Sequence, residues 1–409
     1  MLNIAEALAL GNRHQQAGQW ADAERIYRQV LTVEPGNPQA LYQMGILALQ
    51  VGRFEEAKDW ISHAVVADPS QAVFHANLGE AYRRLGKSSQ AMVCYDQALK
   101  IRPDLAQVHT AMGTVLHGQG KLAEAVAALR EALRLKPDDV AARVALGQVL
   151  HDQNQLSEAE DCFRRVARSL PESALAHFSL GSVLQSQNQF EDAAECFRAA
   201  AKLSGDSTLA AHAYTNLGGC LQTLGMQADA VACFRKVVAL DPNNALITAS
   251  LPHSLHYPCG PSPQEIFDEH VGWARKHAEP LWVPHRHEND PAAQRRLKIG
   301  YVSPYFRAHA ISVFTEPILA AHDHRHFEVV CYSDSTLADC VTERLRGCAD
   351  EWVDTAGQSD SEFADRIWHD RVDILIDLTG HLPHNRLLAF AHKPAPIQVT
   401  YLGYQNTTG

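Results

Sequence analysis

The chain has 409 residues, well beyond one ordinary domain, and its 46% hydrophobic and 20% charged residues make it too apolar for intrinsic disorder. A net charge of −11 excludes non-specific nucleic-acid binding, which needs a basic surface to displace phosphate counterions. No run of about 18 apolar residues occurs, MLNIAEALALGN lacks the basic start of a signal peptide, and nine Cys stand without a CxxC pair, so the chain reads as cytoplasmic, off the membrane, with buried reduced thiols.

Compared with itself, the sequence repeats. Gly11, Gly45, Gly79, Gly113, Gly147 and Gly181 recur every 34 residues, and Gly218 follows 37 after the last. Ala23, Ala57, Ala91, Ala125, Ala159, Ala193 and Ala230 keep the same phase, and Pro35, Pro69, Pro103, Pro137, Pro171 and Pro242 close units, with Gly205 in that place in the sixth. Between each Gly and Ala stands Gly18, Gly52, Gly86, Gly120, Asn154, Asn188 or Gly225, the residue types that accept a left-handed backbone at a helix C-terminus. Each unit is therefore a helix, a tight turn, a second helix and a stop, with Tyr27, Tyr95, Phe163, Phe197 and Phe234 filling the space beside the small residues. The pattern resembles the tetratricopeptide repeat, seven copies over residues 1–245, and implies a superhelix whose concave face takes protein or peptide clients. Extra residues around Ser204–Ser207 are expected to lengthen the connection between repeats six and seven.

Residues 246–296 lose the period and read as a helical connector. Ser262 as N-cap, Pro263 and Glu265 form a capping-box start, and Ile266, Phe267, Val271, Trp273 and Ala274 suit one buried face. From 297 to 409 strands alternate with helices: LKIGYVS, FEVVCYS, EWVDTA, VDILIDLTG and PIQVTYLGY are strand-like, with helical segments between them. This predicts an α/β Rossmann-like domain with a parallel sheet, binding ligands beyond Val302, Leu378 and Leu402 at the strands' C-terminal ends. Neither GxGxxG nor GxxxxGK is present, which disfavours a dinucleotide enzyme or a P-loop nucleotidase.

GYVSPYFRAHAIS (300–312), DILIDLTGHLPHNRL (373–387) and KPAPIQVTYLGYQNTTG (393–409) resemble successive motifs of the catalytic region of protein O-linked GlcNAc transferases, of bacterial and SPINDLY-like type. HSLHYP (253–258) is similar to the segment where that region begins, and the family also places tetratricopeptide repeats before it. The resemblance implies an all-α repeat superhelix followed by an α/β Rossmann-like domain, part of a GT-B glycosyltransferase, with residues 297–409 as the N-terminal catalytic half. It also implies inverting, metal-independent transfer of N-acetylglucosamine from UDP-GlcNAc to Ser or Thr, with no cofactor beyond that donor. Such a chain is expected to be incomplete and inactive alone. The alternative is a non-catalytic repeat scaffold with a degenerate transferase half, and a homo-oligomer is compatible with either.

By motif, His309 corresponds to the active-site His after the first strand, and His253 falls at or beside the connector His, with Pro252 in one possible register. Leu402 and Gly403 match the loop where backbone approaches the donor, and Gly380, Asn385 and Arg386 follow the fourth strand. Arg386 either supports diphosphate charge or makes a structural ion pair. The family places Asn two residues before the early Gly of most repeats to grip peptide; here only Asn77 and Asn216 do so, beside Ala9, Gln43, Ala111, Ala145 and Ser179. Two positions depart from the family: Tyr305 stands where it commonly has Asp, and Gln405 where it has Pro. A phenol, with an ordinary pKa near 10, is a poor base at neutral pH.

Elsewhere the plain reading is preferred: HDHRH (322–326) as a helix–strand joint rather than a metal site, Trp273 and Trp368 as core rather than sugar platforms. His381 and His384 stay open between ligand contact and structure. Residues 1–245 expressed alone are expected to fold, because repeat stability is built from neighbour contacts; protease resistance no better than that of a denatured control would contradict this.

Overall fold

The structure, a computed structural model, describes residues 3–257, 261–282, 286–292, 294–401, 403–404 and 407–408. It comprises two compact units, Met1–Pro171 and Glu172–Gly409, each taken by itself. The first holds five helix pairs: α1 (Ile4–Gln16) with α2 (Trp20–Val33), α3 (Pro38–Gln50) with α4 (Phe54–Ala67), α5 (Ala72–Arg84) with α6 (Ser88–Ile101), α7 (Ala106–Gly118) with α8 (Leu122–Leu135), and α9 (Val140–Asp152) with α10 (Leu156–Ser169). The second opens with two more pairs, α11 (Ala174–Ser186) with α12 (Phe190–Leu203) and α13 (Ser207–Thr223) with α14 (Gln227–Leu240).

One turn serves every pair. Gly18, Gly52, Gly86, Gly120, Asn154, Asn188 and Gly225 all have positive φ, and the next residue's N–H reaches back to a carbonyl of the first helix, as Gln19 to His14 and Lys87 to Tyr82, each at 2.9 Å. The early Gly then faces a bulky residue of the second helix. A Cβ on Gly11, Gly79, Gly147 or Gly218 would come within 2.5–2.8 Å of the ring of Tyr27, Tyr95, Phe163 or Phe234, and on Gly45 or Gly113 it would strike Ile61 or Leu129. The periodic Ala residues are fully buried in the same contacts. The extra residues before the seventh pair do not lengthen a connection: Asp206 caps a first helix of 17 residues where the others have 13, so the insertion is taken up as helix.

In the second unit, two short helices, α15 (Ala245–Thr248) and α16 (Ser250–Ser254), lead to α17 (Pro263–His277), which starts with the Ser262–Glu265 capping box. Its buried face is the expected one at Trp273, with Ile266, Val271 and Ala274 part-buried, but Phe267 is 47% exposed and His270 is buried in addition. The sheet contains β1 (Leu297–Ser303), β2 (Phe327–Ser333), β3 (Glu351–Asp354), β4 (Ile374–Asp377) and β5 (Ile397–Thr400), all parallel in the order β3-β2-β1-β4-β5. Helices α18 (Ala310–Ala320) and α19 (Cys340–Arg346) bury Ile311, Leu319 and Leu345 on one face. Helices α20 (Asp360–His369) and α21 (Leu387–Ala391) bury Phe363, Ile367, Ala389 and Phe390 on the other. Residues before β1 and the start of β1 are tied to Asp373, the residue just ahead of β4, whose carboxylate accepts from Asn289, Arg295 and the Lys298 amide. Among the described residues no helix is long and apolar enough to cross a membrane.

Replacing Gly79 by Ala drives a Cβ to 2.5 Å from the buried Tyr95 ring and is expected to cost about 1–3 kcal/mol in urea unfolding. Gly36→Ala, where nothing lies within 4 Å, is expected to stay within about 0.5 kcal/mol of the parent.

Candidate functional site

Strand order reverses between β1 and β4, which opens a crevice at the C-terminal ends of these strands. The loop after β1 leads to His309, the N-cap of α18, whose Nδ1 accepts the Ile311 amide at 3.2 Å. Its ring stacks on Tyr305 with centroids 4.2 Å apart. Burial and the nearby Arg307 lower its pKa, so the ring is neutral at pH 7, and with Nδ1 accepting it carries its proton on Nε2. His309 thus presents a donor. Tyr305, in the place of the family's Asp, donates to the Pro383 carbonyl at 2.8 Å and joins the loops after β1 and β4.

At the end of β4 the buried Asp377 accepts the Thr379 and Gly380 amides, each at 2.9 Å, and burial pushes its carboxyl up to about 6. Gly380 has φ +57°, and a Cβ there would lie 2.3 Å from the Cβ of Tyr404; one on Gly403 would lie 1.6 Å from the Leu378 carbonyl oxygen. Backbone approach at Gly380 and Gly403 is therefore enforced, while Leu402, Gln405 and Pro258 lie outside the described residues. For Arg386 the ion pair is what the structure holds. Its guanidinium bonds both oxygens of Asp334 at 2.6 and 2.9 Å, Asp360 at 3.1 Å and the carbonyls of Gln358 and Thr355, which leaves nothing for a diphosphate.

Histidines from the connector, α17 and the loop after β4 gather around Tyr404. His270, fully buried on α17, has Nε2 2.7 Å from the Tyr404 hydroxyl and Nδ1 2.6 Å from the Ile266 carbonyl. His256 Nε2 lies 3.3 Å from the same hydroxyl. His381, 2% exposed, donates through Nε2 to Thr408 O at 3.1 Å, and its ring meets Trp273 edge-on at 4.7 Å. His253 joins them, its Nδ1 buried without a hydrogen-bond partner and its Nε2 3.5 Å from the Tyr257 hydroxyl. His253, His256, Tyr257, Leu382, Gly403 and Tyr404 line a cavity of about 60 Å³. Among the described residues no group of His, Cys, Asp and Glu is arranged to hold a metal ion. In the repeats, Asn77 spends its amide N–H groups on the Tyr42 hydroxyl and the Val73 carbonyl, both at 2.9 Å, and Asn216 lies half-buried on α13.

Desolvation lowers the pKa of every histidine in this cluster, to about 4 for His253 and about 3 for His381. Stability from such rings is complete above their ordinary value of 6.5 and is lost as pH falls through the folded values. Asp377 runs the other way, its contribution being present below 3.8 and lost as pH rises through about 6, but it is one group against four rings. Urea unfolding at pH 5 is therefore expected to give a free energy lower than at pH 7 by about 2 kcal/mol, and His381→Gln is expected to shrink that difference. An unchanged free energy would contradict neutral burial of the cluster.

Residues 251–409 match the family described as glycosyl transferase family 41. Residues 2–217 match the cilia and flagella-associated protein 70 C-terminal domain, and residues 211–244 the tetratricopeptide repeat, so the array belongs with these helical-repeat families. The probable UDP-N-acetylglucosamine–peptide N-acetylglucosaminyltransferase SPINDLY of Solanum lycopersicum is 38% identical over 149 residues, 36% of this chain and 16% of that protein. The corresponding SEC protein of Arabidopsis thaliana is 36% identical over 116 residues, 28% of this chain and 12% of its own length. A mutant of the Thermobaculum terrenum O-GlcNAc transferase superimposes with a TM-score of 0.59 and 33% identity, covering 66% of this chain and 51% of that one. The matched stretch is thus a small part of the curated relatives and about half of the solved transferase. With seven helix pairs among the described residues preceding a five-stranded parallel sheet in sequence, the chain is a tetratricopeptide-repeat protein similar to O-GlcNAc transferases and SPINDLY, and its residues 251–409 match glycosyl transferase family 41.

Proposed function

We propose that the protein takes part in transfer of N-acetylglucosamine from UDP-GlcNAc to Ser or Thr hydroxyls of protein or peptide clients held by its repeats. The observation that carries this reading is the switch point between β1 and β4 in the stretch that matches family 41, where the loop after β1 holds a neutral His309 with its proton on Nε2 and the loops after β4 and β5 hold glycine-enforced backbone at Gly380 and Gly403. In an inverting displacement the hydroxyl oxygen bonds to C1 of the sugar and gives up its proton to a neutral base, while the bond from C1 to the diphosphate oxygen breaks and its electron pair leaves with the diphosphate. Negative charge grows on that leaving group, and a fixed donor close to it stabilises the transition state. His309 fills that role as donor rather than base. Leu402 and Gly403 belong to the loop that lets donor and backbone approach, and His253, whose Nδ1 lacks a partner, belongs to the acceptor side. Arg386 is assigned to structure. In the repeats, Asn77 offers a client only its carbonyl oxygen, because its N–H groups are taken.

The scaffold reading rests on Tyr305, which replaces a carboxylate by a phenol already committed to Pro383. One assay separates the two. With the gene's full product, UDP-GlcNAc and a Ser/Thr-rich peptide, a mass gain of one N-acetylhexosamine is expected, and His309→Ala is expected to lower the rate about 10²–10³-fold. Absence of transfer, with client capture by the repeats retained, would select the scaffold.

A further inference from the structure

The protons of the histidine cluster can be placed one after another. A carbonyl only accepts, so His270 Nδ1, 2.6 Å from Ile266 O, carries a hydrogen. His270 is fully buried, which disfavours the cation, so its Nε2 is a lone pair and the Tyr404 hydroxyl 2.7 Å away donates to it. Tyr404 has then spent its only proton. The nitrogen 3.3 Å on its other side, His256 Nε2, meets an oxygen with lone pairs alone and must itself donate. The remaining nitrogen of His256 is left as an acceptor.

We propose that Tyr404 and His270 are positioning residues that lock neutral His256 in its Nε2–H form, so that in the cavity it shares with His253, Tyr257 and Leu382 its Nδ1 accepts from a ligand hydroxyl or N–H and donates to none. On the transferase reading, which supplies the ligand's identity, that group is the attacking hydroxyl. The groups facing His256 are His253, His270, His381 and Tyr404, all of them neutral acceptors or donors rather than fixed charges, with Tyr257 beside them in the cavity lining. His309, whose remaining nitrogen is an N–H, and His256, whose remaining nitrogen is a lone pair, are thus complementary.

Nitrogen-15 NMR of the histidine side chains reads the tautomers directly, without donor, client or turnover, so its result is separate from that of the transfer assay. At mildly alkaline pH, with the signals assigned by His256→Gln and His270→Gln, the wild-type chain is expected to show His256 protonated on Nε2 and His270 on Nδ1. In Tyr404→Phe, His256 is expected to become a mixture of tautomers while His270 keeps its Nδ1 proton. A wild-type His256 protonated on Nδ1, or an unchanged His256 pattern in folded Tyr404→Phe, would overturn the lock. Should Tyr404→Phe fail to fold, the wild-type spectrum alone decides.

Discussion

Two glycines govern the candidate site by leaving no room for a side chain. A Cβ on Gly403 would stand 1.6 Å from the Leu378 carbonyl oxygen, and one on Gly380 would stand 2.3 Å from the Cβ of Tyr404. The loop after β5 therefore lies directly on the loop after β4, and Tyr404 is carried into the middle of the histidines. Asp377 holds the other side of this contact, because its carboxylate closes the Thr379–Gly380 turn that gives Gly380 its left-handed φ. A larger residue at either glycine would separate the loops and break the hydrogen bonds through Tyr404 together.

The same device, glycine against ring, builds the repeats. There it recurs with each unit, Gly79 on Tyr95 and Gly147 on Phe163, while the turn between the helices needs its own left-handed residue. The two demands differ physically. The turn asks for a backbone conformation, which Asn154 and Asn188 also supply, whereas the helix crossing asks for absent volume, which only Gly supplies.

That difference explains what could be read from the sequence. Repeats, turns and strands were legible because period and residue type report local geometry: all seven turn positions have positive φ, and LKIGYVS forms β1 over its whole length. Candidate-site residues could be named where a motif carried them, at His253, His309, Gly380 and Gly403. His256, His270 and Tyr404 come from a connector, a helix and a loop, and the hydrogen bonds that join them span 148 and 134 residues of chain. No local pattern encodes such a meeting. A signal did exist in α17, where apolar spacing placed Phe267 inside; a polar His one turn before Trp273 belongs to the buried face, but hydrophobicity alone does not weigh it. Arg386 shows the converse: a basic residue in a ligand-facing loop attracts a functional reading, yet Asp334, which claims it, lies 52 residues earlier.

Tautomer, more than titration, separates the histidines by role. Burial lowers the pKa of His309 and of the cluster alike, so charge at neutral pH does not distinguish them. What differs is which nitrogen the protein has already used. The Ile311 amide occupies Nδ1 of His309 and leaves its proton on Nε2; the Tyr404 oxygen occupies Nε2 of His256 and leaves its lone pair on Nδ1. A leaving diphosphate needs the first and an attacking hydroxyl needs the second. Neither arrangement needs a carboxylate to hold the ring: a backbone amide fixes His309 and the Tyr404 phenol fixes His256, so Tyr305 leaves both orientations in force.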